Sequence, residues 1–365
     1  MFRIRGLGTS ALMKLLLQPS TATSRPQHVF ICLADHWEPK RDAPGKKSEA
    51  DRVARWVRDY PKLTESLADC RGRPPQHTFF YPAEEYDPEY LEAVAGLCRQ
   101  GLGDVEVHLH HDRDTADGLR EKLESYKHAL HDRHGLLRKD AAGQIRYGFI
   151  HGNWALDNSR PDGLWCGVNN EISVLIETGC YADFTMPSAP AACQTSTINS
   201  IYYATDDPNR PNSHDRGLPA RVGRRAPPES LLMIQGPLAL DWRSRKLGLM
   251  PRIENGEVAG YRPPSLARFH LWRRARVGVI GRDDWIFIKL YTHGAFEMNV
   301  DLLLGEPMRQ FHLGLRALSE QREWLRYYYV TAWEMAQLVH AAETGTVDPE
   351  AALASNALHN SVGKL

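Results

Sequence analysis

Between residues 28 and 186, short runs of strand-forming residues alternate with amphipathic helical stretches, and this alternation restricts the fold more than any other feature. His28–Ala34, Thr78–Tyr81, Val105–His110, Tyr147–Ile150 and Tyr181–Met186 read as strands. Ser48–Ala68, Pro88–Cys98, Thr115–His134 and Asn169–Thr178 read as helices; the first carries Val53, Trp56, Val57, Tyr60 and Leu63 on one stripe, and the last stops at Gly179, a suitable C-cap. Strands in regular alternation with helices predict a parallel α/β architecture, either one large barrel or two ordinary domains in 365 residues.

The periodicity weakens from Ser188 to Asp284, where Pro, Arg, Asn and Gly accumulate. This segment reads as an elaboration of the β/α unit, with a strand at Leu231–Ile234 and a hairpin over Arg252–Ala259 turning at Asn255-Gly256. A buried strand returns at Asp284–His293, and Pro307–Ala342 supplies C-terminal helices. The expected division is an N-terminal extension (1–27), a barrel (28–297) containing the insertion 188–284, and a C-terminal helical segment (298–365).

Composition sets the class. With 42% apolar and 25% charged residues the chain reads as a soluble globular protein. Lys plus Arg and Asp plus Glu both number 45, which gives no reason to expect nucleic acid as a partner. Residues 216–276 hold 13 basic side chains against four acidic ones, read first as a solvated face and second as a site for an anionic substrate or membrane headgroups. Six cysteines without a C-x-x-C spacing predict free thiols in a reducing compartment, hence a cytoplasmic location. No run is apolar enough for a transmembrane segment, although Leu12–Leu17 offers peripheral membrane contact.

Candidate site residues gather at the ends of the predicted strands. Strand alternation sends Glu106, His108 and His110 to one face, and Asp35-His36 ends the first strand. His111 points the other way, and Asp114 is either a ligand or the cap of the helix that follows. His151 and Asn153 end the fourth strand and His293 the last; Trp37 and Trp154 stand beside these groups, placed to stack on a sugar ring.

In their order, these motifs resemble those of the polysaccharide deacetylases of NodB homology, over roughly residues 28–187 and 284–294. The resemblance implies an irregular (β/α)7 barrel and a metal-dependent hydrolase. Leu33-Ala-Asp-His36 occupies the place of the family's acidic pair, so Asp35 resembles the catalytic base and His36 replaces a metal-binding Asp. Glu106-Val-His-Leu-His110 resembles the segment carrying the metal histidines: His110 matches the first, Asp114 takes the place of the second, and His108, His111 and Asp112 stay open as ligands. Phe149–Trp154 replaces the arginine-containing motif, Asp241-Trp242 faintly resembles the later Asp-Trp motif, and Leu290-Tyr-Thr-His293 matches the final L-x-x-H, whose histidine serves as general acid.

The resemblance implies a divalent metal cofactor, expected to be zinc, held by His36, His110, Asp114 or His108. Asp35 and His293 are the expected acid–base pair, and Trp37, Glu106, His151, Asn153 and Trp154 the substrate contacts. The expected reaction is removal of an acyl group, N-acetyl above all, from a carbohydrate or other acylated small molecule. Two alternatives stay open: a metal-free glycoside hydrolase using carboxylates such as Asp35, Glu38 or Glu106, and a degenerate barrel that binds glycan without turnover.

Overall fold

The computed structural model describes residues 3–4, 6–18, 26–246 and 249–354. Among these, eleven strands form one mainly parallel sheet. In chain order they are β1 (Gln27–His36), β2 (His77–Pro82), β3 (Gly103–Leu109), β4 (Arg138–Lys139), β5 (Ile145–His151), β6 (Cys180–Asp183), β7 (Ile201–Thr205), β8 (Leu218–Pro219), β9 (Ser230–Ile234), β10 (Trp285–Thr292) and β11 (Leu325–Tyr329). Laterally the order is β8-β7-β9-β6-β5-β3-β2-β1-β10, with β4 on β5. β10 runs beside β1 from His28 to Asp35, while β11 and β2 pair with its first and second halves. β7 is antiparallel to β8 and β9, β4 is antiparallel to β5, and the other pairings are parallel.

Both faces of the sheet are covered, which is why its strands read as continuous apolar runs. Along β1, Val29, Ile31 and Leu33 pack with Val53, Trp56 and Tyr60 of the helix Lys46–Thr64 and with the helices that follow. The alternate residues Phe30, Cys32 and Ala34 face Phe80, Ile150, Phe184, Phe287 and the helix Ala332–Glu343. That helix lies on the inner face, its N-terminus fixed by a capping box between Thr331 and Glu334. Single backbone bonds step from β10 (Phe287 to Val277) through Ile280 and Ala220 to Ile201 of β7, so main-chain bonding runs from one flank of the sheet toward the other.

Four expectations need correction. β3 ends at Leu109 because the His110 N–H donates to the Glu84 carboxylate instead of a neighbouring strand. No hairpin turns at Asn255-Gly256: Met250–Glu254 pairs backwards with Ala239–Lys246, and the chain beyond meets β10, where Tyr291 bonds both Gly256 and Val258. The 188–284 segment carries the expected strand as β9 but sets it in the main sheet with the unexpected β7 and β8, and the segment after 298 contributes β11 as well as helices.

The helix Thr9–Leu16 buries Ala11 and Leu15 against Ala189, Ile198 and Leu238, and leaves Met13, Leu16 and Leu17 exposed. Among the described residues no helix is long and apolar enough to cross a membrane.

Candidate metal centre

The C-terminal ends of β1, β3 and β10 bring five ligand-type side chains together on the inner face. Glu38, His108 and His110 form the tightest group, with one ligand atom of each within 4.8 Å of the others. Alternation explains the convergence: Ala34, His36 and Glu38 continue one face of β1 past its end, as Glu106, His108 and His110 do for β3.

Each imidazole is oriented by a partner on its far side. His108 Nδ1 lies 2.8 Å from the Ile150 carbonyl and donates to it, which leaves the Nε2 lone pair facing inward. That Nε2 is fully buried, 3.5 Å from Glu38 Oε1, and has no hydrogen-bond partner. His110 Nδ1 pairs with the Glu84 carboxylate while its Nε2 lies 3.1 Å from Glu38 Oε1. An imidazole with one nitrogen held by a carbonyl or carboxylate and the other aimed at a shared point is the usual state of a metal-ligating histidine.

The charges are concentrated. Burial opposes ionisation of Glu38, but the His108 and His110 imidazoles hold its carboxyl well below the ordinary range. Burial likewise opposes protonation of His110, yet Glu38 and Glu84 together raise it to about 9. Arg41, itself half exposed, donates to Glu38 Oε1 at 2.9 Å.

Three more groups complete the wall. The His36 ring centroid lies 4.8 Å from those of His108 and His293; burial first, then its imidazole neighbours, drives the His36 pKa far down, so it is neutral. His293 Nε2 is 3.9 Å from Glu38 Oε2 and its side chain retains 19% exposure, so it faces both the cluster and solvent. Trp154 stands 6.0 Å from His36 and 6.4 Å from His293, ring centre to ring centre.

Other expected residues lie elsewhere. Asp35 is on the opposite face of β1 from His36, its Oδ2 2.7 Å from His77 Nε2 and its Oδ1 accepting from the Gly294 N–H at 2.6 Å. Both oxygens are thus engaged away from the cluster, and Asp35 fixes the turn that follows His293. Trp37 is wholly buried between Trp56 and Phe79, out of reach of any substrate. Glu106 shares the inner face with His108 but sits deeper, accepting from Gly148 N–H and Tyr181 Oη at 2.6 Å each, with Arg138 beside it.

Asp114 contacts His111 and Lys122 rather than His36 or His110, and the cap of the following helix is Thr115. His151 belongs to a separate cluster, and Asn153 sits in a left-handed turn where Cys193 donates to its carbonyl. Glu84 is a group of this cluster that the strand-end reading passed over, and Glu38 entered that reading only as a carboxylate of the metal-free alternative. The signal for Glu38 was present, since Ala34, His36 and Glu38 keep the two-residue period.

No family model and no curated protein matches the chain. Among solved structures it is similar to the crystal structure of a 4-alpha-glucanotransferase from Thermococcus litoralis, at 12% identity and a TM-score of 0.40, over 89% of this chain and 47% of that one. The chain therefore spans about half the length of that structure.

Proposed function

We propose that Glu38, His108 and His110 hold a divalent metal ion, zinc by the nature of the ligands, and that the protein is a metal-dependent hydrolase. Its substrate on this reading is an acylated carbohydrate or related amide, from which it removes an N-acetyl or similar group. The observation that carries the reading is the buried His108 Nε2, which makes no hydrogen bond and faces Glu38 Oε1 at 3.5 Å. An orphaned polar atom in a native interior asks for a partner, and a cation between two imidazoles and a carboxylate supplies one. Three protein ligands leave a coordination position open, as catalytic zinc sites do.

A metal held by Glu38, His108 and His110 would supply Lewis acidity, activating a water and polarising a carbonyl oxygen. The surrounding residues then divide the remaining work. His36, kept neutral by burial, forms an uncharged wall of the cluster. Burial also lowers the His293 pKa, so His293 is neutral at rest; it would take the attacking water's proton and pass that same proton to the amine leaving group. Asp35 positions His293 through Gly294, and Trp154 offers a flat wall for a sugar ring. The sheet, with its strand ends gathered around this cluster, fits the (β/α)7-type barrel that the resemblance implies.

The test is amine and acetate release from a panel of N-acetylated sugars and simple amides, using untagged protein purified without chelators. Wild type is expected to release both, and Glu38→Gln and His108→Ala to release neither. Equal turnover in wild type and Glu38→Gln would overturn the reading. New reducing ends without acetate would indicate a glycoside hydrolase, and saturable sugar binding without product a glycan-binding barrel; either replaces the deacylation proposal.

A further inference from the structure

Behind the first cluster, a second set of ligand-type side chains closes around one point. His111, His151, Cys166 and Glu171 are all buried, with one ligand atom from each lying within 4.8 Å of the others. They come from four places in the chain: His111 just beyond β3, His151 at the end of β5, Cys166 in the loop that follows, and Glu171 at the first position of the helix Glu171–Glu177. Glu171 Oε1 is 3.2 Å from His111 Nε2, and Oε2 is 3.6 Å from His151 Nε2 and 3.3 Å from Cys166 Sγ.

Three of the four have a hydrogen-bonded outer partner, and the fourth, His111, faces a carboxylate without a hydrogen bond to it. His151 Nδ1 is taken by the Gly152 carbonyl, leaving Nε2 buried, without a hydrogen-bond partner and aimed at the cluster. His111 Nδ1 faces the Asp114 carboxylate at 3.3 Å, and Lys122 holds that carboxylate at 2.6 Å. Cys166 Sγ accepts the backbone N–H groups of Asn158 at 3.2 Å and Val168 at 3.4 Å, and its S–H donates to Glu171 Oε2 at 3.3 Å. Glu171 Oε2 also accepts the Asp157 N–H at 2.6 Å.

A nucleophilic Cys–His pair is the other use of such a set, and the surroundings exclude it. Cys166 has no exposed surface, so no substrate reaches its sulfur.

We propose that His111, His151, Cys166 and Glu171 form a closed, four-coordinate structural zinc site, separate from the Glu38–His108–His110 centre. One thiolate, two imidazoles and one carboxylate at mutual contact, with no open face, match the donor set and closure of structural zinc. On binding, the Cys166 S–H proton leaves to solvent and its sulfur lone pair bonds the ion. The site staples the irregular 152–170 segment to two strand ends. It also buttresses the first cluster, because His111 follows His110 and Gly152 follows His151. The His110 ring lies so close over Gly152 that a Cβ there would come within 2.2 Å of Cδ2.

Sulfur separates the two sites experimentally, since the first contains none. Protein loaded with zinc or cobalt(II) is expected to bind two equivalents. Zinc-edge X-ray absorption should show a sulfur shell at about 2.3 Å, and the cobalt form a near-ultraviolet thiolate charge-transfer band. The band should survive His108→Ala, with one equivalent remaining, and vanish in Cys166→Ser. Absence of both sulfur signatures from loaded wild type overturns the proposal, as does a band that persists in Cys166→Ser. If Cys166→Ser does not fold, wild type and His108→Ala decide alone. One sulfur-free equivalent lost in His108→Ala sinks this site and keeps the first; one sulfur-bearing equivalent indifferent to His108→Ala does the opposite.

Discussion

His108 Nε2, buried without a hydrogen bond, faces Glu38 and lies beside His110, and its neighbours can be tested one side chain at a time. Glu84 touches no other member of the cluster than His110 and fixes that ring, so Glu84→Ala should weaken metal binding by about 10–100-fold while leaving one ligand set intact; competition with a chelator reads this out, and unchanged affinity would remove Glu84 from the account. At Gly294 a Cβ would stand 2.0 Å from Asp35 Oδ2. Gly294→Ala is therefore expected to cost about 1–3 kcal/mol by denaturant unfolding and to lower turnover by shifting His293. The residue-level pattern was legible where alternation was followed strictly. It placed His108 and His110 together and turned His111 away. The same rule puts Asp35 and His36 on opposite faces and carries His36 on to Glu38, but an acid at a strand end drew attention to Asp35 first. Glu84 gave no sequence signal, because it reaches His110 from a turn after β2.

At the scale of elements, the parallel strands were readable because burial on both faces makes them uninterrupted apolar runs. β7 and β11 were not. Ile201-Tyr-Tyr-Ala-Thr205 lies amid Asn, Ser and Pro, and Leu325-Arg-Tyr-Tyr-Tyr329 sits between two helices in a stretch whose helical pattern masks it. Both are fixed by pairing with distant strands, which no local window shows. The inner helix Ala332–Glu343 depends on its N-terminus: the Thr331 hydroxyl accepts the Glu334 N–H, and Glu334 in turn pairs with Arg73. Thr331→Ala should cost about 1 kcal/mol in a urea titration. A change of only a few tenths would show that packing against Met335, Leu338 and Val339 holds the helix without its cap.

For the whole molecule, buried ionisable groups set a pH dependence with a definite sign. Burial raises Asp183 and Glu85 to about 7, and Asp157 and Glu106 to about 8. Glu38 and Glu84 raise His110 to about 9 against its desolvation. Each folded group keeps its proton to higher pH than in the unfolded chain, so each contribution is lost as pH rises through its folded value. The histidines that burial lowers, among them His36, His151, His214 and His312, change stability only below about pH 6.5, their unfolded value. Between pH 6.5 and 8 the metal-free protein should therefore lose stability, seen as a falling urea midpoint; a rising midpoint would contradict these burial assignments.

The most direct test of the central claim is anomalous diffraction from crystals of zinc-loaded wild-type protein, recorded on both sides of the zinc edge. The structure predicts an anomalous peak bounded by Glu38, His108 and His110, with His108 Nε2 among its ligands. Density showing Glu38 closed onto Arg41 and His110 with no peak between them would contradict it, and the cluster would then be a charge network rather than a metal centre.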